Sequence, residues 1–282
     1  MRPGRTGRSY YDSRMSTQRP GWAPEDIDLD RPNAARVYDY LLGGSANFAK
    51  DREFADHLTK IAPHAASIAR VNRAFLRRAV TYCLNNGIRQ FLDIGSGIPT
   101  AGNVHEIAHR VDPSVRVVYV DIEPVAVTHT ERMLAGNDNA AVVGGDLLEP
   151  ETLLTSSAAR RLLNFDEPIA VLTVAVLHFI DDDKGPHAAV ARYVDAMAPG
   201  SYLVLSHIAA EDTDEQAQAR TLYRKDAIPI VARTREQLTA FFTGTELVEP
   251  GIVWTPLWHP EQFDNLEEPE RSKGYAGVGR KP

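Results

Sequence analysis

The chain has 282 residues, 43% of them hydrophobic, 24% charged and 8% aromatic, enough for one large domain or two small ones. Its one cysteine, Cys83, excludes an intramolecular disulfide framework and any multi-cysteine zinc or iron–sulfur site. A formal net charge of −7, from 31 Lys+Arg against 38 Asp+Glu, argues against a nucleic-acid partner, and the longest nearly apolar stretch, residues 169–180, falls short of the ~20 residues a membrane helix needs.

Residues 1–29 hold five arginines and many turn-forming residues, without the apolar run of a secretory signal. They read as a disordered tail, with Met15 as an alternative start, and the protein reads as cytoplasmic. Asp30 is placed to cap a helix entered at Pro32 and continuing through Val37, Tyr38, Leu41 and Leu42. GGSANF, residues 43–48, interrupts it. A second helix from about Asp51 carries Phe54, Ala55, Leu58 and Ile61 on one face and stops before Pro63. A third, from about His64 to Asn85, places Ile68, Val71, Phe75, Leu76, Ala79 and Val80 at spacings of three and four. Arg70, Arg73, Arg77 and Arg78 face the other way and read as a solvated face.

From Ile88 the rhythm becomes short apolar runs alternating with helical stretches. Strands are expected over 89–95, 115–122, 140–146, 168–179 and 201–208, with helices between them and another over 213–224. Runs that are apolar throughout belong to strands covered on both faces, hence to a parallel sheet in an α/β fold. TREQLTAFF, 234–242, reads as a capped helix, ELVEPGIVW, 246–254, as a short strand pair, 259–271 as an acidic loop and GYAGVGRK, 274–281, as a last strand. Two late strands without an intervening helix suggest an antiparallel hairpin at the sheet edge. The division is a tail over 1–29, a helical extension over 30–86 and an α/β core over 87–282.

Phe91-Leu92-Asp93-Ile94-Gly95-Ser96-Gly97-Ile98-Pro99-Thr100 is a buried strand, an acidic residue, then a glycine turn. Glycines are needed there because a Cβ would keep the backbone away from a ligand lying across the strand ends. Asp121 closes the second strand and Asp146 the third, so three carboxylates occupy the C-terminal edge of the sheet, where open α/β sheets bind ligands. Carboxylates repel phosphate, but Asp121 suits a ribose diol, Asp146 the exocyclic amine of adenine, and Asp93 an ammonium group. Adenine, ribose and an amino-acid cation together describe S-adenosylmethionine; the alternative is that the aspartates only cap helices. A dinucleotide fingerprint counted from Gly95 puts Thr100 at its last glycine, behind a stiff Pro99, so a nicotinamide-dependent oxidoreductase is the weaker reading.

DIGSG, YVDIEP, GGDLLEP and AVLHFID resemble the motif series of class I S-adenosylmethionine-dependent methyltransferases. ARVYDYLLGG, NRAFLRRAV, RQFLDIGSGIPT, GNVHE, LVEPG and GVGRK are similar to an actinobacterial methyltransferase family of undefined substrate, over residues 30–281. The resemblance implies a Rossmann-like, seven-stranded, mostly parallel sheet with a C-terminal antiparallel hairpin. It implies that Asp93, Gly95 and Gly97 border the methionine part, and that Asp121 and Ile122 hold ribose and flank adenine. Asp146 and Leu147 would meet adenine's polar edge and Ala175 the amino-acid end.

Methyl transfer from a sulfonium needs alignment and exclusion of water more than acid–base help. His178 and His207, near the ends of the fourth and fifth strands, are the candidate bases, with structural packing as the alternative for each. Tyr38, Tyr40, Asn47 and Phe48 sit where a lid would fold over the cofactor, or where helices simply pack. Trp254 and Trp258 read as core before they read as pocket wall. No H-x-x-x-H pair, nucleophile elbow or P-loop suggests metal or hydrolase chemistry. The expected activity is methylation of a small molecule, without a nucleic-acid or membrane partner; a non-catalytic S-adenosylmethionine-binding regulator is the alternative. Neither the acceptor nor an oligomeric state follows from these residues.

Overall fold

The computed structural model describes residues 23–24, 27–100, 102–211, 213–261 and 267–282. Most of the expected tail and residues 262–266 of the acidic loop lie outside them. Ile27, inside the segment read as tail, is buried in a cluster with Ala46, Ile98, Val125 and Ala126.

Three helices come first: α1 (Ala34–Leu41), α2 (Ala49–Ile61) and α3 (Ala65–Asn85). The cap of α1 is Asn33 rather than Asp30, because its side chain accepts from the N–H groups of Ala35 and Arg36 while its own backbone stays extended. Pro32 therefore stands outside the helix. Asp51 reaches back to accept from the N–H of Phe48 at the start of α2. The apolar faces of α1 and α2 close on Ile228, with Phe54 edge-on to Tyr223 at 4.9 Å.

The alternation then runs β1 (Gln90–Ile94), α4 (Val104–Val111), β2 (Arg116–Asp121), α5 (Pro124–Met133), β3 (Ala140–Gly144), α6 (Pro150–Leu154), α7 (Ser157–Leu162), β4 (Ala170–Val174), α8 (Pro186–Ala196) and β5 (Tyr202–Ile208). It ends with α9 (Asp214–Lys225), α10 (Arg235–Thr239), β6 (Glu246–Leu247), β7 (Val253–Trp254) and β8 (Gly274–Arg280). The sheet order is β3-β2-β1-β4-β5-β8-β6, with β7 also on β8. The first five strands are mutually parallel and β8 is antiparallel to β5. Alternate residues serve opposite faces: Phe91, Val117, Leu172 and Val204 join α3 in one core, while Leu92, Val118, Val171 and Leu203 join α7 and α8 in another.

The mostly parallel α/β fold with an antiparallel C-terminal edge is as expected; among the described residues the sheet is made of eight strands. The residues of 246–254 do not pair with each other. β6 and β7 lie one after the other along β8, pairing with its two ends, so eight strands fill seven positions. The fourth strand ends five residues early, because Ala175 turns left-handed (φ 58°) and a 3-10 turn, Leu177–Phe179, follows. Order reverses between β1 and β4, which makes a crevice at their C-terminal ends.

The arginine face of α3 is not uniformly solvated. Arg70 and Arg77 are exposed, but Arg78 is buried, donating to the carbonyls of Thr255 and Trp258, and Arg73 donates to the Gly102 carbonyl at 2.9 Å. Trp258 is fully buried against Phe75, and Trp254 stacks on Tyr275.

The helical extension is tied to the sheet by a buried guanidinium. Arg36 pairs with Asp51 at 3.0 Å and with Glu123, at the start of α5, at 3.2 Å. Its Nη2 donates to the carbonyls of Asp28 and Arg31. Arg36→Met leaves Asp51 and Glu123 buried without a counter-charge, so urea unfolding should show a loss of about 3–5 kcal/mol. A loss under about 1 kcal/mol would mean that the extension is held by its apolar contacts alone.

Candidate active site

The glycine turn after β1 is shaped by what surrounds it. Gly95 and Gly97 are both left-handed, at φ 73° and 69°. A Cβ on Gly95 would overlap the side chain of Val176, whereas one on Gly97 meets only open space. Gly95 and Ser96 donate their N–H groups to the Val120 carbonyl, and Gly97 donates to Asp121 Oδ2 at 2.7 Å. Helix α4 starts only at Val104, and Glu106 Oε2 already accepts from the N–H groups of Gly102 and Asn103. That helix terminus offers little to a phosphate, in contrast with a dinucleotide turn that opens directly into its helix.

A cleft of about 630 Å³ lies above the crevice between β1 and β4, within the usual range of small-molecule sites. Asp93, Gly95, Gly97, Asp121, Ile122, Asp146, Leu147, Ala175 and Tyr38 all line it. Asn47 and Phe48 do not. Asn47 is buried and donates to Asp39 Oδ2 at 2.8 Å and to the Gly44 carbonyl, while the Phe48 ring lies under the Arg36 guanidinium. Both shape the turn between α1 and α2 instead of covering the cleft. Tyr40 is also away from it, donating to Asp56 at 3.2 Å.

The carboxylates differ in environment. Asp121 is buried, with Oδ1 accepting from the N–H of Glu123 at 2.9 Å and Oδ2 from Gly97. Burial raises its pKa despite these donors. Asp146 Oδ1 accepts from the N–H of Leu148 at 2.9 Å. Each thus braces its own loop and still borders the cleft, so the capping and binding readings are compatible. Asp93 sits one residue before the end of β1, and burial pushes its pKa up to about 7, with Arg73 opposing and Asp121 reinforcing the shift. Ile122 is 68% exposed on the rim, and Leu147 is buried.

Basic residues do reach the cleft: Arg31, Arg73 and Lys184 line it against six acids, Asp93, Asp121, Glu123, Asp146, Asp181 and Asp226. Sequence reading missed Asn72 and Arg73. The available signal was Asn72 itself, a polar residue on the helix face shared by Ala69 and Leu76.

A second cavity, of about 170 Å³, shares Tyr38, Asn72, Ala175 and Phe179 with the cleft. It is walled by residues of α2, α3, α9 and the loop after β5, and both histidines line it. Ser206 Oγ donates to Asn72 Oδ1 (2.6 Å), Asn72 Nδ2 donates to Tyr38 Oη (3.1 Å), and Tyr38 Oη donates to the Ala69 carbonyl (3.0 Å).

His207 has both ring nitrogens engaged. Its Nδ1–H donates to the Ile208 carbonyl and its Nε2 accepts from Arg233 Nη1 at 2.7 Å, so its lone pair is committed. Burial, reinforced by Arg233, drives its pKa down to about 3. His178 lies on the 3-10 turn, 5.4 Å ring to ring from His207. Its Nδ1 has no hydrogen-bond partner among the described residues, and burial, then His207 and Arg233, hold its pKa well below the ordinary range.

Asp93 gives a test of the cleft's electrostatics in ligand-free protein. A carboxyl with a pKa near 7 when folded and 3.8 when unfolded favours folding at low pH and loses that contribution as pH rises to 7. Asp93→Asn, uncharged throughout, should therefore gain stability over the parent between pH 4 and 8, by at most about 4 kcal/mol. A difference independent of pH in urea unfolding would contradict the buried, ionisable carboxyl.

The S-adenosyl methyltransferase family model matches residues 20–282. A candidate methyltransferase from Thermobifida fusca has a crystal structure that superposes with a TM-score of 0.87 at 42% identity, covering 93% of this chain and 99% of that one. A DUF574 family protein from Streptomyces avermitilis superposes with a TM-score of 0.87 at 37% identity, over 90% and 99% of the two chains. The CurJ carbon methyltransferase, at 13% identity and a TM-score of 0.51, shares the fold. No curated protein matches the chain. With the family spanning the cleft and both its walls, the chain belongs to the S-adenosyl methyltransferases, enzymes whose cofactor is S-adenosylmethionine.

Proposed function

We propose that this methyltransferase binds S-adenosylmethionine in the large cleft and methylates a small molecule held in the second cavity. The observation that carries the reading is the junction: the two cavities meet at Tyr38, Asn72, Ala175 and Phe179, so ligands in both would adjoin there.

The residues present fit the cofactor. Asp121 keeps lone pairs for the ribose hydroxyls beside its two backbone donors, and Ile122 and Leu147 offer apolar surface to adenine. Asp146 is the acceptor for the adenine amine. Gly95 and Gly97 let the methionine part approach the backbone, and Asp93 is a buried carboxylate suited to a cationic ammonium. Six acids against three bases suit a ligand that carries a sulfonium as well. The cofactor supplies an electrophilic methyl group; the chain's own work is to align the acceptor, exclude water and manage its proton. Of the two histidines, His178 is the one free to hydrogen-bond an acceptor, as a neutral imidazole, while His207 holds its place through Arg233.

Asp121→Ala tests the cofactor assignment by calorimetry with S-adenosylhomocysteine. Losing two charge-assisted hydrogen bonds should cost about 2–4 kcal/mol, or a roughly 30- to 1,000-fold weaker Kd. The variant should also be less stable, because the N–H groups of Gly97 and Glu123 lose their acceptor. Lower stability with unchanged affinity would reduce Asp121 to a brace, and tighter binding of NAD than of S-adenosylhomocysteine by the parent protein would overturn the cofactor site.

A further inference from the structure

Taking the second cavity as the acceptor site, we infer that its acceptor is an uncharged, largely apolar ring compound carrying one hydroxyl. The first ground is the wall. Leu58, Ile68, Ala69, Ile208 and Tyr223 face the cavity, from α2, α3, β5 and α9, and no charged side chain among the lining residues is both buried and unpaired. Glu211 and Lys273 line it as a pair, 2.7 Å apart. Glu215 and Arg220, opposite charges on α9, are half-buried and line it on the α9 side, away from the cofactor cleft's shared residues Tyr38, Asn72, Ala175 and Phe179.

The second ground is the end that adjoins the cofactor cleft. Its polar groups are all neutral: Tyr38, Asn72 and Ser206, hydrogen-bonded to one another, and two histidines. His207 is kept neutral by its two partners, and Arg233, the cation behind it, lies against Asp182 and the carbonyls of Leu177 and Ile180. An ammonium entering this end would leave water to face a buried guanidinium, with no carboxylate among the groups of this end to meet it. A carboxylate would find Arg233 already bound on the far side of His207. Either charge loses hydration without a partner, which a neutral molecule avoids. A hydroxyl, by contrast, has His178 to bond with. The size of the cavity and the rings of Tyr38, Phe179 and Tyr223 suit a small ring system.

The test compares three ligands of one shape: 4-ethylphenol, 4-ethylbenzoate and 4-ethylbenzylammonium. Each is titrated at pH 7 into the protein saturated with S-adenosylhomocysteine. The phenol should bind at least tenfold more tightly than either ion. Equal or tighter binding of an ion, or no binding of the phenol, overturns the inference. Ala219→Trp, on the exposed helix α9, should fill the cavity and abolish phenol binding with S-adenosylhomocysteine affinity intact; Ile68→Trp repeats the block from α3 should the first variant not fold. Phenol binding that survives both blocks puts the ligand elsewhere, and the acceptor-site reading fails. A benzoate that binds best and is displaced by the block leaves that reading standing and removes only the proposed class.

Discussion

The helical side of the cleft depends on where one guanidinium is held. Arg36 is 3% exposed and its bonds reach three parts of the chain: Asp51 at the start of α2, Glu123 at the start of α5, and the carbonyls of Asp28 and Arg31 in the segment before α1. Burying a charge this deeply is tolerable only when its hydrogen bonds are nearly all made. Arg's planar fork allows that with little loss of freedom per bond, which an ammonium could not match. As a result, Arg31, Asn33 and Ala34 are positioned as a wall of the cleft, facing Glu123 and Asp121 on the sheet side.

The same node leaves a surplus of negative charge. Arg36 meets two buried carboxylates, Asp51 and Glu123, and Glu123 has its pKa raised by burial first and by Asp121 among the rest. Asp93 and Asp121 add further buried carboxylates close by, both with pKa raised by burial, Asp93 opposed by Arg73 and Asp121 by the backbone N–H groups of Glu123 and Gly97. A parallel sheet explains why they gather: each strand delivers its last side chains to the same edge, so residues spaced one strand-plus-helix apart become neighbours. Such a cluster of buried carboxylates is costly with no cation beside it.

That gathering is why much of the site was legible in the sequence. Asp93, Asp121 and Asp146 follow from the alternation alone, because strand direction fixes which end each one occupies. Ala175 was found as a motif position, but its left-handed backbone was not; the apolar run continues to Phe179 because the 3-10 turn itself buries Leu177. His178 therefore looked like a strand residue. Asn72 escaped because helix periodicity separates two faces without saying which part of the inner face looks over the sheet edge, and Arg73 because it was grouped with the solvated arginines; Ser206 lay inside an apolar strand with nothing to mark its partner on α3. Asn47 and Phe48 failed for a related reason: a glycine-rich break near tyrosines suits a lid and a packed turn equally, and only Asp39 and Arg36, which they touch, decide for the turn. The late strands were recognised as antiparallel, yet their mutual pairing was wrong, since β8 offers both β6 and β7 a longer partner than they offer each other.

A second buried arginine completes the division between the two cavities. Arg233 is 1% exposed, whereas its carboxylate partner, Asp182, is 60% exposed in its side chain, so much of its stabilisation comes from neutral acceptors: the carbonyls of Leu177 and Ile180 and the Nε2 of His207. Those bonds clamp the turn carrying His178 and Phe179 onto β5, and Val231 adds its own N–H to the His178 carbonyl. Burial, reinforced by this positive charge, disfavours a second proton on either histidine. One cation thus holds the shape of the junction and adds to its neutrality. The contrast with Arg36 is instructive: there a guanidinium gathers carboxylates beside the large cleft, and here a guanidinium adds to the suppression of charge beside the smaller cavity. Two buried arginines thus border two compartments of different polarity at a single sheet edge.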